Sequence, residues 1–309
     1  MKGQKGEPKL KANEVYEIVT KKIVDAMESG NVPWRKPWQG DGPKNLFTKK
    51  SYRGINNWLL GLTPASHPYF ATYKQVQEAG GNIIRGSKST PVYFFTMKQY
   101  KDEKSGETKK FPIIRTYAVF TTDQMENIDL EKFLPASTSK ESFEVMETAQ
   151  GILSDYIIRE GKNGFHMDHN GNDNAYYRPS TDSVHLPKRE HFNSASAYYS
   201  TAFHEIGHST GHAKRLNREG VTKTGISSGH FRGQVYSFEE LVAEFTASFL
   251  CANSGIDNEI EIGQRAAYIK GWLSVLKDDP KMLWKAASAA QKASDFILDV
   301  KFSEEVANG

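Results

Sequence analysis

Apolar residues recur at helical spacing near the start of the chain, where Val15, Ile18, Val19, Ile23, Ala26 and Met27 predict one amphipathic helix that Gly30 can end. A loop rich in proline and tryptophan follows, Val32-Pro33-Trp34-Arg35-Lys36-Pro37-Trp38. Thr72 is placed to cap a short helix stopping near Gly80-Gly81. The runs Pro91–Met97 and Phe111–Thr121 are β-branched and aromatic, and the charged turn Lys101–Lys110 between them predicts an antiparallel hairpin. The second half is mostly helical in pattern. Phe143, Met146, Ile152, Leu153 and Tyr156 mark a helix over 143–159, and further helices are predicted over 195–212, 238–252, 262–277 and 281–298. The last has Asp279 as cap and Pro280 as first helical residue. Two strand-like runs, Asn174–Tyr177 and Ser183–Pro187, flank the turn Arg178–Asp182.

At 309 residues the chain is long enough for about two domains. The seam is expected at the small, polar, proline-opened stretch from Leu134 to Ser142. The fold class that follows is α+β: a mixed α/β domain over 1–134, a linker over 135–142 and a mostly helical domain with a small sheet over 143–309. Charge divides at the same seam. Residues 1–134 hold 22 Lys+Arg against 14 Asp+Glu, and the remainder holds 18 against 23. A basic half joined to a mildly acidic one suggests two different partners. The single cysteine, Cys251, excludes a disulfide scaffold and sits in the apolar run Phe249–Ala252 as a packed thiol. No apolar run reaches membrane-spanning length, and the polar N-terminus lacks the apolar segment of a secretory signal, so a cytoplasmic protein without membrane partners is expected.

The chemistry-bearing motif is HExxH, His204-Glu205-Ile206-Gly207-His208. On a helix the two histidines stand one turn apart on one face, where both rings can bind one cation. Glu205, beside the first, can take a proton from the water that the cation activates. Zn²⁺ suits nitrogen and oxygen ligands with an open position, and Mn²⁺ is the alternative. A catalytic site needs a third protein ligand. The metzincin pattern fails, because Lys214 stands where its third histidine belongs, and His212 would require the helix to continue through Gly211. The segment Ser237-Phe238-Glu239-Glu240-Leu241-Val242-Ala243-Glu244 is the better source. Glu240 and Glu244 share a helix face, although Ser237-x-x-Glu240 also spells a capping box, which would leave the role to Glu239. The ELVAE run resembles the ExxAD arrangement of gluzincins, which implies Glu240 as the third ligand and Glu244 as the carboxylate orienting a histidine. The run Asp182–Pro187 is expected to offer a sheet edge to an extended substrate, with His185 on it. Tyr199 and Tyr236 are candidates for stabilising an oxyanion, though each serves packing more naturally.

In the basic half, Trp34, Arg35, Lys36 and Trp38, then Asn45, Tyr52, Arg53 and Asn56 before Trp58, interleave cations with rings and amides. Single-stranded nucleic acid asks for that mixture, and so does a small tryptophan core with cations snorkelling around it. Tyr73, Lys74, Arg85, Lys88 and Lys98 rank lower. The stretch Gly81–Thr90 falls short of a phosphate-binding P-loop: Ser87 separates Gly86 from Lys88, and the helix precedes instead of following.

The stretch PWRKPW…NLFTKKSYRGIN resembles the N-terminal domain of ArdC-type antirestriction proteins, a domain also found at the front of some plasmid primases. Residues 175–252, with Tyr176-Tyr177, Asp182–Pro187, the HExxH motif, Arg215-Leu216 and Glu239–Glu244, resemble the companion zincin-like domain. The resemblance covers most of the chain and suggests the stand-alone form. It implies a single-stranded DNA-binding domain followed by a gluzincin metallopeptidase domain, spread by conjugative plasmids and protecting incoming DNA from host restriction. A restriction enzyme or another DNA-bound host protein is then the expected substrate. The alternative is a non-catalytic DNA-binding shield with a structural or dormant metal site.

Overall fold

The first helix, α1 (Ala12–Glu28), buries the predicted stripe of Val15, Val19 and Ile23. The computed structural model describes residues 12–29, 42–101, 108–134, 142–169, 174–222, 229–256, 272–274 and 276–300. After α1 come β1 (Lys44–Asn45), α2 (Ile55–Gly61), β2 (Tyr69–Thr72), α3 (Tyr73–Glu78) and β3 (Asn82–Ile83). The predicted hairpin follows as β4 (Thr90–Lys101) and β5 (Thr108–Thr121), then β6 (Met125–Glu126). Thr72 caps α3 in a full capping box with Gln75. The main sheet has the order β1-β2-β5-β4; β1 runs parallel to β2, and the other pairs are antiparallel.

Strand β4 is therefore an edge, and α2 closes part of it. Asn56 donates from Nδ2 to the Tyr93 carbonyl (2.7 Å) and accepts the Tyr93 N–H at Oδ1 (2.8 Å), standing in for the strand neighbour that β4 lacks. At 5% exposure Asn56 is engaged inside the fold and not at its surface. Asn56→Ala leaves both Tyr93 groups unsatisfied, at a cost of about 1–3 kcal/mol each. A lowered urea midpoint is the expected result, and an unchanged one would show that water replaces the amide.

The second half contains α4 (Ser142–Gly161), β7 (His166–Asp168), β8 (Tyr176–Arg178), β9 (Ser183–His185), α5 (Ala195–Ser209), α6 (Glu219–Thr222), α7 (Gly229–Ser254) and α8 (Pro280–Ile297). Ser194 caps α5 by accepting from Ala197 N, and Asp279 caps α8 with Pro280 next in the helix. Strand order β7-β9-β8 puts β9 in the centre of its sheet. The run Asp182–Pro187 is thus no free edge; the edges are β7 and β8. His185 is engaged inside that sheet, with Nδ1 at 2.9 Å from Asp168 and Nε2 at 2.9 Å from Ser183 Oγ. Helix α5 stops at Ser209 instead of reaching 212, since the chain turns back to pair Leu216 N with Thr210 O (2.9 Å). Helix α7 begins well before 238. Most of the predicted helix 262–277 lies outside the described residues; residues 272–274 and 276–278 are helical. No described helix is long and apolar enough to cross a membrane.

The two halves share one core. A single cluster joins Val19 and Ile23 of α1, Trp58 and Leu59 of α2, Leu241, Phe245 and Phe249 of α7, and Leu283 and Ala286 of α8. Trp58 stacks on Phe249 (centroids 5.3 Å apart, planes within 7°) and lies 4.0 Å from Phe245. A second cluster, including Leu153, Tyr156, Phe203, Ile206, Leu250 and the buried Cys251, belongs to the later half alone.

Candidate metal centre

Helices α5 and α7 build the site by lying against each other. Gly207, a weak helix former in the middle of HExxH, sits where they touch: a Cβ there would be 3.3 Å from Thr246 Cβ and 3.4 Å from Ala243 Cα. The glycine lets the backbones approach until the histidines of one helix face the glutamates of the other. His204 Nε2 and His208 Nε2 are 3.1 Å apart. Glu240 reaches both, with Oε2 at 3.6 Å from His204 Nε2 and Oε1 at 3.5 Å from His208 Nε2. Donors about 2.1 Å from a tetrahedral ion stand about 3.4 Å from one another; one ligand atom from each of these three residues lies within 4.8 Å of the others, a triangle that could hold one divalent ion. Among the described residues it is the one group of this kind.

The capping-box reading of Ser237-x-x-Glu240 does not apply, because α7 starts at Gly229 and residue 237 lies inside the helix. Glu239 and Glu244 take other places. Glu244 Oε2 lies 3.6 Å from His204 Nδ1, and Glu239 Oε1 lies 3.4 Å from His208 Nδ1. Each ring thus has a carboxylate on its Nδ1 side, leaving Nε2 turned toward the triangle. Arg218 holds Glu239 in turn, from Nε to Oε2 (3.0 Å) and from Nη2 to Oε1 (2.6 Å), and also donates to the Gly207 carbonyl (2.8 Å) and Thr210 Oγ1 (2.7 Å). One guanidinium so ties the C-terminal end of α5 to α7. Gly220 makes room for this, since a Cβ there would meet Glu239 Cβ at 2.7 Å. Sequence reading missed both Arg218 and this role of Glu239, and no motif signals them.

The electrostatics favour a cation. Burial works against charge on His204, but Glu240, Glu244 and Glu205 outweigh it and hold the ring well above the usual imidazole range. Burial pushes the Glu205 carboxyl up, with Glu240 adding to it, while both histidines and the backbone N–H of Tyr177 on β8 pull the other way; the net shift is upward. Behind β8, Tyr177 donates its hydroxyl to Asp182 (2.8 Å), and Arg215 pairs with the same carboxylate. Burial alone would raise Asp182, yet Arg215 and Tyr177 hold it below its ordinary range. His212 lies off the triangle, 3.8 Å from Asp182. Tyr199 donates to Gln150 (3.0 Å) within the packed interior, and the side chain of Tyr236 lies outside the described residues.

The residues read as a nucleic-acid surface fare differently. Trp34, Arg35, Lys36 and Trp38 lie outside the described residues. Asn45 is a turn former: its Oδ1 accepts the N–H groups of Phe47 (3.1 Å) and Thr48 (2.9 Å), and its Nδ2 donates to Gln75 (3.1 Å). Tyr52 packs edge-on against Phe70, and burial raises its hydroxyl pKa. Arg53 pairs with Asp295 of α8, and the neighbouring Gly54 N–H donates to Gln291 (3.1 Å). Asn45 and Asn56 are thus engaged within the fold, and Arg53 joins the two halves.

Residues 13–120 match a family model described as the N-terminal domain of anti-restriction factor ArdC, and residues 157–289 match one described as a zincin-like metallopeptidase. Two proteins named DNA primase TraC from Escherichia coli are 33% and 34% identical over 92% of this chain, which spans only 27% and 20% of their lengths. Protein y4eC of Sinorhizobium fredii is 31% identical over 92% of this chain and 91% of its own. Crystal structures of antirestriction protein ArdC from the R388 plasmid resemble the fold at 33% identity. The metal-free form gives a TM-score of 0.73 over 93% of this chain and 97% of that one; the Mn(II)-bound form gives 0.71 over 94% and 99%. Both domains occur here in the same order and over nearly the same length, and the chain belongs to the ArdC family of antirestriction proteins.

Proposed function

We propose that the protein protects plasmid DNA from host restriction during conjugation, its basic half holding single-stranded DNA and its other half acting as a metal-dependent peptidase. The observation that carries the enzymatic part is the His204–His208–Glu240 triangle, with contacts of 3.1, 3.5 and 3.6 Å among the three side chains and Glu205 next to His204 in the chain. In this reading those three residues hold Zn²⁺ or, as in the relative crystallised with it, Mn²⁺. Such an ion supplies Lewis acidity, which lowers the pKa of a coordinated water and polarises a carbonyl. Glu205 accepts the proton, its raised pKa bringing it nearer to neutrality. Glu244 and Glu239 fix the histidine tautomers. The charge excess of residues 1–134 supports the DNA-holding role, to which the loop of Trp34, Arg35, Lys36 and Trp38 is assigned. The substrate is a restriction enzyme or another DNA-bound protein of the recipient, or the chain itself.

Plasmid transfer into a restricting recipient tests the whole reading: wild type raises transfer and Glu205→Ala does not. Equal protection by that variant would leave a DNA-binding shield with a dormant metal site. The ligand assignment is tested by calorimetric titration with Zn²⁺. Glu239→Gln is expected to weaken binding about 10–100-fold. An affinity equal to wild type would remove Glu239 from the site's support.

A further inference from the structure

We propose that the outer face of the β4–β5 hairpin is a base-stacking platform for single-stranded nucleic acid, centred on Phe94 and Tyr117. The inference rests on the single-stranded DNA reading above and moves its contact surface away from residues 45–56. Side chains alternate across a sheet, and the register pairs Thr90 with Val119, Val92 with Tyr117 and Phe94 with Arg115, so all six belong to one face. At one end of that face Val92 and Val119 are buried under Leu60 and against Phe70. Further along the cover stops. Phe94 is 46% and Tyr117 43% exposed, with ring centroids 5.5 Å apart and planes at 80°. On the opposite face Tyr93 is buried and packs against Trp284 of α8 (5.9 Å).

Two large rings side by side at that exposure form an apolar patch that asks for a partner. Charge selects which. The two strands carry Lys98, Lys101, Lys109, Lys110 and Arg115 and no Asp or Glu. The alternation assigns Lys98, Lys109 and Arg115 to the face of Phe94 and Tyr117, so a second copy docking through it would set cations against their own kind. Single-stranded nucleic acid brings phosphates for the cations and flat bases for the rings, and Arg115 stands directly across from Phe94. An edge strand with one uncovered aromatic face is also open enough to accept unpaired bases, whereas bases stacked inside a duplex are closed to the rings.

Fluorescence anisotropy of a labelled oligothymidylate with the full chain, beside a duplex control, tests the platform. Phe94→Leu and Tyr117→Leu are expected to weaken single-strand binding about 5- to 150-fold each without changing its salt dependence or the duplex affinity. Tyr117→Phe, which keeps the ring, is expected to bind as wild type. Arg115→Ala is expected to reduce the slope of log affinity against log salt by about 0.7, the share of one phosphate contact on a single strand. If wild type binds and the two leucine variants bind equally well, the platform is wrong while the DNA reading stands. Absence of binding by wild type would remove the DNA reading itself. Equal losses in Tyr117→Phe and Tyr117→Leu would show that ring stacking is not the interaction.

Discussion

Glu205→Gln is expected to lower hydrolysis of labelled casein by about 10²–10⁴-fold while leaving the protein folded and its metal content unchanged. The separation of effects follows from the geometry. The triangle consists of His204, His208 and Glu240, and Glu205 is not part of it. The amide keeps the size of the carboxylate and can still accept the Tyr177 N–H, so the local packing survives. What disappears is the proton acceptor. Elemental analysis beside the activity assay reads both quantities on one sample. Undiminished cleavage in the variant would overturn the assignment of Glu205, and loss of metal along with activity would make it a ligand.

The second large effect concerns the join between the halves. Trp58→Ala is expected to cost about 3–5 kcal/mol, the usual range for removing a large aromatic from a core. Trp58 is 2% exposed and fills the space between α2 and the Phe245 and Phe249 rings of α7. That helix also carries Glu239, Glu240 and Glu244, so a shift of α7 reaches the metal site. Thermal melting should therefore fall steeply, and Zn²⁺ affinity should fall with it. A variant that melts like wild type yet loses DNA binding would show the opposite, namely that the Trp58 ring serves bases and not the core. The shared cluster has a further consequence: a fragment beginning near residue 143 would expose Leu241, Phe245 and Phe249, and it is expected to be insoluble or unfolded.

How much of the site was legible depended on whether a residue's partner lay on its own helix. His204 and His208 were legible because helical spacing alone puts them on one face. Glu240 was legible only as one of several acids, since the same letters spell a capping box, and the choice turned on where α7 begins. The residues from 229 to 237 include Gly229 and Gly233, weak helix formers that hide that start. The surroundings of Asn45 and Asn56 were illegible for a related reason. An amide suited to a base edge is equally suited to a turn or to the open backbone of an edge strand, and here those internal uses prevail. The strand at 183–185 was recognised as a strand, but its central place required β7, a three-residue segment too short to show a pattern.

The sequence by itself determined the elements with a strong period, the HExxH pair, the acid-rich segment that meets it, and the charge difference between the halves. These are properties of neighbours along the chain, fixed by helix and strand geometry. Only the tertiary structure decided which glutamate completes the triangle, that Arg218 clamps Glu239, that Trp58 stacks on Phe249, and that Phe94 and Tyr117 stay uncovered. Each of those depends on how segments far apart in the chain pack, and packing energy is shared among many residues, so no short motif records it.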